Sequence, residues 1–226
     1  MLVSSVILAA GARLRRYASF LKSTDFDEIM WRFQAKTRGL DFGFVSVENL
    51  GSDVSRAKYY SDTGGKLRFV LKALAPSRLD EAIDIGCGKA GAVLTLAKYF
   101  ARADGIDISE ALIETGRENL RRMRIKNSSL FTCDAVEFRD LDRYGFIYFF
   151  NPFPRAVMEG TIRNIVASLT RRPRRIEILY YNPVDGDLLE KAGFQRSRGI
   201  RPNEAAKHKG NRETWGAFVM YSWRNQ

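Results

Sequence analysis

Three aspartates and a cluster of glycines have the types and spacing to do chemistry in this sequence. Asp84 stands two residues before Gly86 in the stretch AIDIGCGKAG, and Asp107 and Asp134 follow in GIDIS and FTCDA. Glycine permits positive φ and leaves the backbone open to a ligand that a side chain would block. The spacing Gly86-x-Gly88-x-x-Gly91 satisfies a dinucleotide fingerprint taken alone. A dinucleotide, however, lays its pyrophosphate on the helix N-terminus, where backbone N–H groups favour an anion. A carboxylate at Asp84 opposes an anion next door and suits a ligand with an amino group. Asp107 fits either ligand, because its two oxygens can hold a ribose diol. The G-x-x-x-x-G-K-[ST] phosphate loop is excluded, since Lys89 precedes the last glycine and no GK[ST] run is present.

The elements around these residues alternate. Strands are predicted over 82–85, 103–108, 129–133, 146–150 and 175–181, with helices over 91–100, 110–123, 156–170 and 185–192. Such alternation implies right-handed βαβ units and a parallel sheet covered on both faces. The unbroken apolar run FIYFF at 146–150 suits a strand buried on both sides. Two strand-like stretches, 195–200 and 215–223, close the chain with no helix predicted between them, so the last strand is expected to run antiparallel. Before the first strand, 24–38 and 66–74 read as helices, the former with Phe26, Ile29, Met30 and Phe33 on one side. The expected fold is α/β: a doubly wound, Rossmann-like, seven-stranded and mostly parallel sheet with an antiparallel last strand, plus N-terminal helices. The expected division is a helical extension over 1–58 and the main domain over 59–226.

The order D-x-G-x-G, with acids ending the next two strands, resembles the class I S-adenosylmethionine (SAM)-dependent methyltransferases. The likeness covers roughly residues 60 to 223 and extends to a bacterial group of unassigned substrate. It implies SAM as cofactor, S-adenosylhomocysteine as product and no metal. Asp84 would then stand near the methionine amino group, with Gly86, Cys87 and Gly88 beside the amino-acid moiety. Asp107 would accept both ribose hydroxyls and Ile108 would pack on the adenine. Asp134 would accept from the adenine amino group, and Ala135 would offer a backbone N–H. In one departure from the family pattern, the usual third glycine is Ala90 here, with Gly91 one place later.

The acceptor side carries fewer signals. Asn151-Pro152-Phe153-Pro154 follows the fourth strand and is similar to the [DN]-P-P-[YFW] motif of amino-directed methyltransferases without matching it. Asn151 is a candidate for cofactor contact, for substrate contact or for catalysis, and Phe153 is a candidate wall. Asn182 and Pro183 read as structural, ending a strand. Tyr59 and Tyr60 are candidate lids over the methionine end or packing residues, and Tyr60 is a candidate substrate contact. His208, the only histidine, lies in a basic connection and is a candidate base or a solvated side chain.

Composition bounds the partners. The 226 residues are 45% hydrophobic and 28% charged, ordinary for one globular domain with an appendage. One histidine and two cysteines, Cys87 and Cys133, support neither a closed zinc site nor a disulfide framework. The expected compartment is therefore reducing, and the cytoplasm is expected. No apolar run is long enough to span a membrane, although the first 22 residues could meet a membrane surface as a short helix. The net charge of +11 invites an anionic partner, nucleic acid included, or else reflects basic helix ends. The expected activity is methyl transfer to oxygen or nitrogen of a small-molecule or glycan-like acceptor. RNA or protein as acceptor, or non-catalytic SAM binding, are the alternatives. Nothing in the sequence sets an oligomeric state.

Overall fold

The computed structural model describes residues 24–46, 62–78, 80–197, 199–201 and 216–223. Two helices, α1 (Thr24–Arg38) and α2 (Gly65–Leu74), precede a sheet whose elements run in the order β1 (Glu81–Ile85), α3 (Gly91–Leu96), β2 (Arg102–Asp107), α4 (Glu110–Arg122), β3 (Leu130–Thr132), β4 (Phe146–Phe150), α5 (Arg155–Arg171), β5 (Ile176–Tyr181), α6 (Gly186–Lys191), β6 (Gln195–Arg196) and β7 (Phe218–Trp223). The seven strands lie in the order β3-β2-β1-β4-β5-β7-β6. Strands β1 to β5 pair in parallel, and β7 runs antiparallel to both β5 and β6. This is the expected doubly wound sheet with a reversed last strand. The reversal lies between β1 and β4, where the chain switches direction across the sheet and leaves a crevice at the carboxyl ends.

Successive strand residues face opposite ways, so each strand feeds two cores. Ile83, Ile85, Ile147, Phe149, Ile178 and Tyr180 bury one face beneath α5 and α6. Ala82, Phe146, Tyr148, Leu179 and Tyr181 bury the other, under α2, α3 and α4. Asp84 pairs in register with Tyr148 and stands two residues from Ala82, which puts its carboxylate on this second face.

Two sequence expectations change. The helix expected over 91–100 ends at Leu96, because the chain tightens there: Lys98 N–H donates to Thr95 O and Tyr99 N–H to Leu96 O. Asn127 Nδ2 takes the Ala97 carbonyl at 3.0 Å, which holds the frayed end in place. The packed face of α1 also differs. Ile29 and Phe33 are 54% and 60% exposed, and Trp31 is the buried side chain instead. Polar anchors decide this rotation. Asp27, wholly buried, receives Lys72 Nζ at 2.7 Å and Arg68 Nε at 3.3 Å, so turning α1 would strand a buried carboxylate.

Candidate functional site

The glycine turn between β1 and α3 gathers the residues of interest. Gly86 has φ 85, and a Cβ there would collide with Pro152 and stand 3.5 Å from the Phe153 ring. Glycine is required by both backbone and neighbours. Ala90 occupies the left-handed region at φ 64 as the cap of α3, so alanine is held where the family pattern has glycine. A non-glycine residue in that region costs about 1–2 kcal/mol.

Asp84 is buried, and its side chain has no hydrogen-bond donor among the described residues. Burial, then Asp107, then Asp62, pushes its pKa well up. Asp107 ends β2 and reaches back to the turn. Its Oδ2 accepts from Gly88 N–H at 2.9 Å, and its Oδ1 accepts from Ser109 N–H at 2.9 Å. Burial raises its pKa, and those amides partly offset the effect. Burial, with Asp107 and Asp84 beside it, pushes the Cys87 thiol up, so it stays a neutral thiol. The Tyr148 hydroxyl is buried too, and Thr63 lies near without closing a hydrogen bond of good geometry.

Asp134 closes an Asx turn after β3, its Oδ1 accepting from Val136 N–H at 2.9 Å. Asp107, Ile108, Asp134 and Ala135 line one recess with Gly86. Phe153 is buried in the same recess rather than facing outward from it. Asn151, at the carboxyl end of β4, takes φ 42. Asn182 takes φ 52 after β5, and its Oδ1 accepts from Gly216 N–H at 2.6 Å, which is a strand-ending role. Arg155 joins the two Asn-Pro loops, donating to Asp185 at 3.1 Å and to Asp187 at 2.7 Å. Tyr59, Tyr60, His208 and the first 22 residues lie outside the described residues.

Two groups escaped the sequence reading. Asp62 Oδ2 accepts from Trp31 Nε1–H at 2.8 Å and from Gly64 N–H at 3.0 Å. Its Oδ1 stands over Gly91, which leaves no room for a Cβ there. Burial raises the Asp62 pKa to about 6, with Glu28 adding to the effect. Lys89, inside the glycine turn, is the second. Its Nζ meets Asp41 Oδ1 at 2.8 Å and Gly43 O at 3.0 Å, while Asn119 donates to the carbonyls of Asp41 and Lys89. The loop after α1 is thereby tied to the glycine turn. These contacts span 30 to 78 residues of sequence, and no local pattern announces them.

The Arg171–Arg175 cluster is occupied internally. Arg171 pairs with Asp142 at 2.8 Å, Arg175 with Glu177, and Arg174 donates to the Tyr144, Leu141 and Ser168 carbonyls. Among the described residues no helix is long and apolar enough to cross a membrane, and no cluster of acids, cysteines or histidines has the makings of a metal site.

The chain resembles known proteins in the same region. Residues 82–172 match a family model described as a methyltransferase domain. A 23S rRNA (uracil(1939)-C(5))-methyltransferase of Klebsiella pneumoniae is 29% identical over 148 residues, which is 62% of this chain and 33% of that protein. The chain thus spans about a third of the length of the curated relatives it matches. Among solved structures, a SAM-dependent methyltransferase of Aquifex aeolicus aligns with TM-score 0.50 and 16% identity, covering 69% of this chain and 87% of that one. A precorrin-8w decarboxylase of Methanobacterium thermoautotrophicum aligns with TM-score 0.51 and 22% identity, covering 72% and 91%. Residues 82–172 thus carry the signature of a methyltransferase domain, and the sheet order and the glycine turn place that domain in a fold shared with solved SAM-dependent methyltransferases.

Proposed function

We propose that the recess at the carboxyl ends of β1, β2 and β3 holds SAM and that the enzyme methylates oxygen or nitrogen of a small acceptor. One observation carries the cofactor half. Asp84, Asp107 and Asp62 converge on the glycine turn, and no cation among the described residues neutralises Asp84. Buried carboxylates of this kind want a cationic ligand, and SAM brings an ammonium and a sulfonium. NAD would bring phosphates to the same place. The residues therefore fit the cofactor.

In this reading Asp84 faces the ammonium, while Gly86, Cys87 and Gly88 let the amino-acid moiety lie close. Asp107 takes the ribose hydroxyls, and Ile108, Asp134 and Ala135 form the adenine end. Asn151 and Phe153 form the boundary between cofactor and acceptor. When bound there, SAM would supply a methyl group carried on a cationic sulfur. The protein's part is alignment and exclusion of water. Residues 59–226 would form the catalytic unit and 1–58 an extension.

The alternative acceptor is RNA, favoured by the Klebsiella pneumoniae relative, which by its name methylates uracil in 23S rRNA. Arg174 is tied to the carbonyls of Tyr144 and Leu141, which weakens its part in that reading. Calorimetric titration with S-adenosylhomocysteine, with NAD as control, tests the cofactor: binding of the former alone is expected, and binding of NAD alone would refute it. Retention on ribosomal RNA that falls steeply with salt would shift the acceptor to RNA.

A further inference from the structure

Away from the recess, a second cleft of roughly 350 Å³ opens between α1, the loop after it and the start of α2. That volume lies in the range of small-molecule sites, about 300–1,000 Å³. Its floor is the segment Asp62-Thr63-Gly64, which lies against Gly91 at the start of α3. Its far side is Lys66, whose Nζ stands 6.0 Å from the centre of the Tyr181 ring at the end of β5. The lining of the cleft therefore borders the carboxyl-end side of the sheet, through Asp62 beside Gly91 and Lys66 beside Tyr181, where ligands meet in open α/β sheets.

The walls are flat and aromatic. Trp31 and Phe42 stack at 5.1 Å with 25° between their planes, and Phe44 stands beside them with 68% of its surface exposed. The charges are sorted. Glu28 is committed twice, to Arg32 at 3.0 Å and to the Gly65 amide at 2.8 Å. Lys66 has no carboxylate partner among the described residues. Asp62 takes both its well-formed hydrogen bonds on Oδ2, which leaves Oδ1 directed at the glycine turn.

We propose that this cleft is the acceptor site, that the acceptor is a small aromatic acid, and that Asp62 takes the proton its hydroxyl or amino group loses on methylation. The proposal rests on the SAM reading above. The ring packs on the aromatic wall of Phe42 and Phe44, with Trp31 stacked on Phe42, the acidic substituent meets Lys66, and the reacting heteroatom faces Asp62. The proton passes to the Asp62 carboxylate as the heteroatom gains its methyl group, and then to solvent. Around Asp62 stand Glu28 and Arg32 of α1, Lys66 of α2 and Asp84 of β1, and the two neighbouring acids make a proton welcome there.

Trp31 reports on the cleft directly. Protein saturated with S-adenosylhomocysteine would be titrated with hydroxybenzoates and with the matching neutral hydroxybenzamides, following tryptophan fluorescence, with Trp31→Phe to assign the signal. Saturable quenching by at least one hydroxybenzoate is expected, at least tenfold tighter than by its amide, with the preference lost in Lys66→Met. Asp62→Asn, which keeps an oxygen for Trp31 and Gly64, is expected to bind the same hydroxybenzoate and to lose turnover by at least 100-fold with KM little changed. Absence of saturable quenching by any member, or equal affinity for acid and amide, would overturn the proposal. A separate calorimetric titration with S-adenosylhomocysteine keeps the two readings apart: intact cofactor binding with no aromatic binding sinks only the acceptor site.

Discussion

At the amino ends of the strands, Asp104 receives Arg102 at 2.8 Å, the Tyr144 hydroxyl at 2.9 Å and the Ser129 amide at 2.7 Å. Arg143 meets Glu81 at 2.5 Å, and Arg174 fans across the carbonyls of Leu141, Tyr144 and Ser168. At the carboxyl ends, Asp84 is buried like Asp104 but has neither cation nor donor among the described residues, and Asp62 and Asp107 add like charge beside it. Among the described residues the same sheet thus pairs its buried Asp104 with cation and donors at one end and leaves Asp84 without either at the other, while Asp107 has only backbone amides. Paired charge at the amino ends is architecture. In the proposed reading the unpaired Asp84 carboxylate marks the place for a ligand, because an uncompensated buried carboxylate persists only where something else offsets its cost.

The contrast predicts opposite effects for variants at the two ends. Arg174→Ala leaves several carbonyls without donors and is expected to cost about 3 kcal/mol of stability. Its affinity for S-adenosylhomocysteine should stay at the wild-type value; a tenfold loss by calorimetry would erase the distinction. Asp107→Ala is expected to do the reverse, lowering that affinity about 100-fold, or about 2.7 kcal/mol, while shifting the thermal midpoint little. A large drop in midpoint with unchanged binding would make Asp107 a scaffold residue.

Asp62→Asn sharpens the contrast through pH. The folded pKa lies above the ordinary 3.8, at about 6, so the folded state binds more protons than the unfolded one between those values. Stability attributable to Asp62 is therefore greatest below about pH 4 and declines as pH rises through 6. Full burial would make that loss about 3 kcal/mol, and partial exposure reduces it to about 1–2 kcal/mol. The variant should melt higher than wild type at pH 7.5, with the advantage fading towards pH 4. An advantage that grew on acidification would contradict the assignment.

The smallest effect is expected at Ala90. Changing it to glycine relieves about 1 kcal/mol of left-handed strain and gives up about 0.8 kcal/mol of buried methyl. Denaturant unfolding should show a net change within about 0.5 kcal/mol of zero. A loss above 2 kcal/mol would mean that the Ala90 methyl is packed more tightly than its backbone is strained.

The sequence showed the carboxyl-end site unevenly. The positions of Asp84, Asp107 and Asp134, at or just beyond the carboxyl ends of three successive strands, were legible because those strands are announced by their apolar runs, and the reversed last strand was legible from a missing helix. Asp62 and Lys89 were not. An aspartate becomes a buried acid only when Trp31, 31 residues away, covers it. A lysine in a glycine turn becomes a strut only when Asp41, 48 residues away, comes to meet it. Contacts of that range leave no local periodicity. The same limit explains α1, where a stripe of Phe26, Ile29, Met30 and Phe33 suggested one buried face and the Asp27 ion pairs selected another.

The sheet ends on both sides in very short strands, three residues at β3 and two at β6. An outermost strand is where a stray chain recruits itself by extending the hydrogen-bonded ladder, and a template of two or three residues offers too few free amides and carbonyls to hold a guest. Self-association by continuing the sheet from one copy to the next is disfavoured by construction.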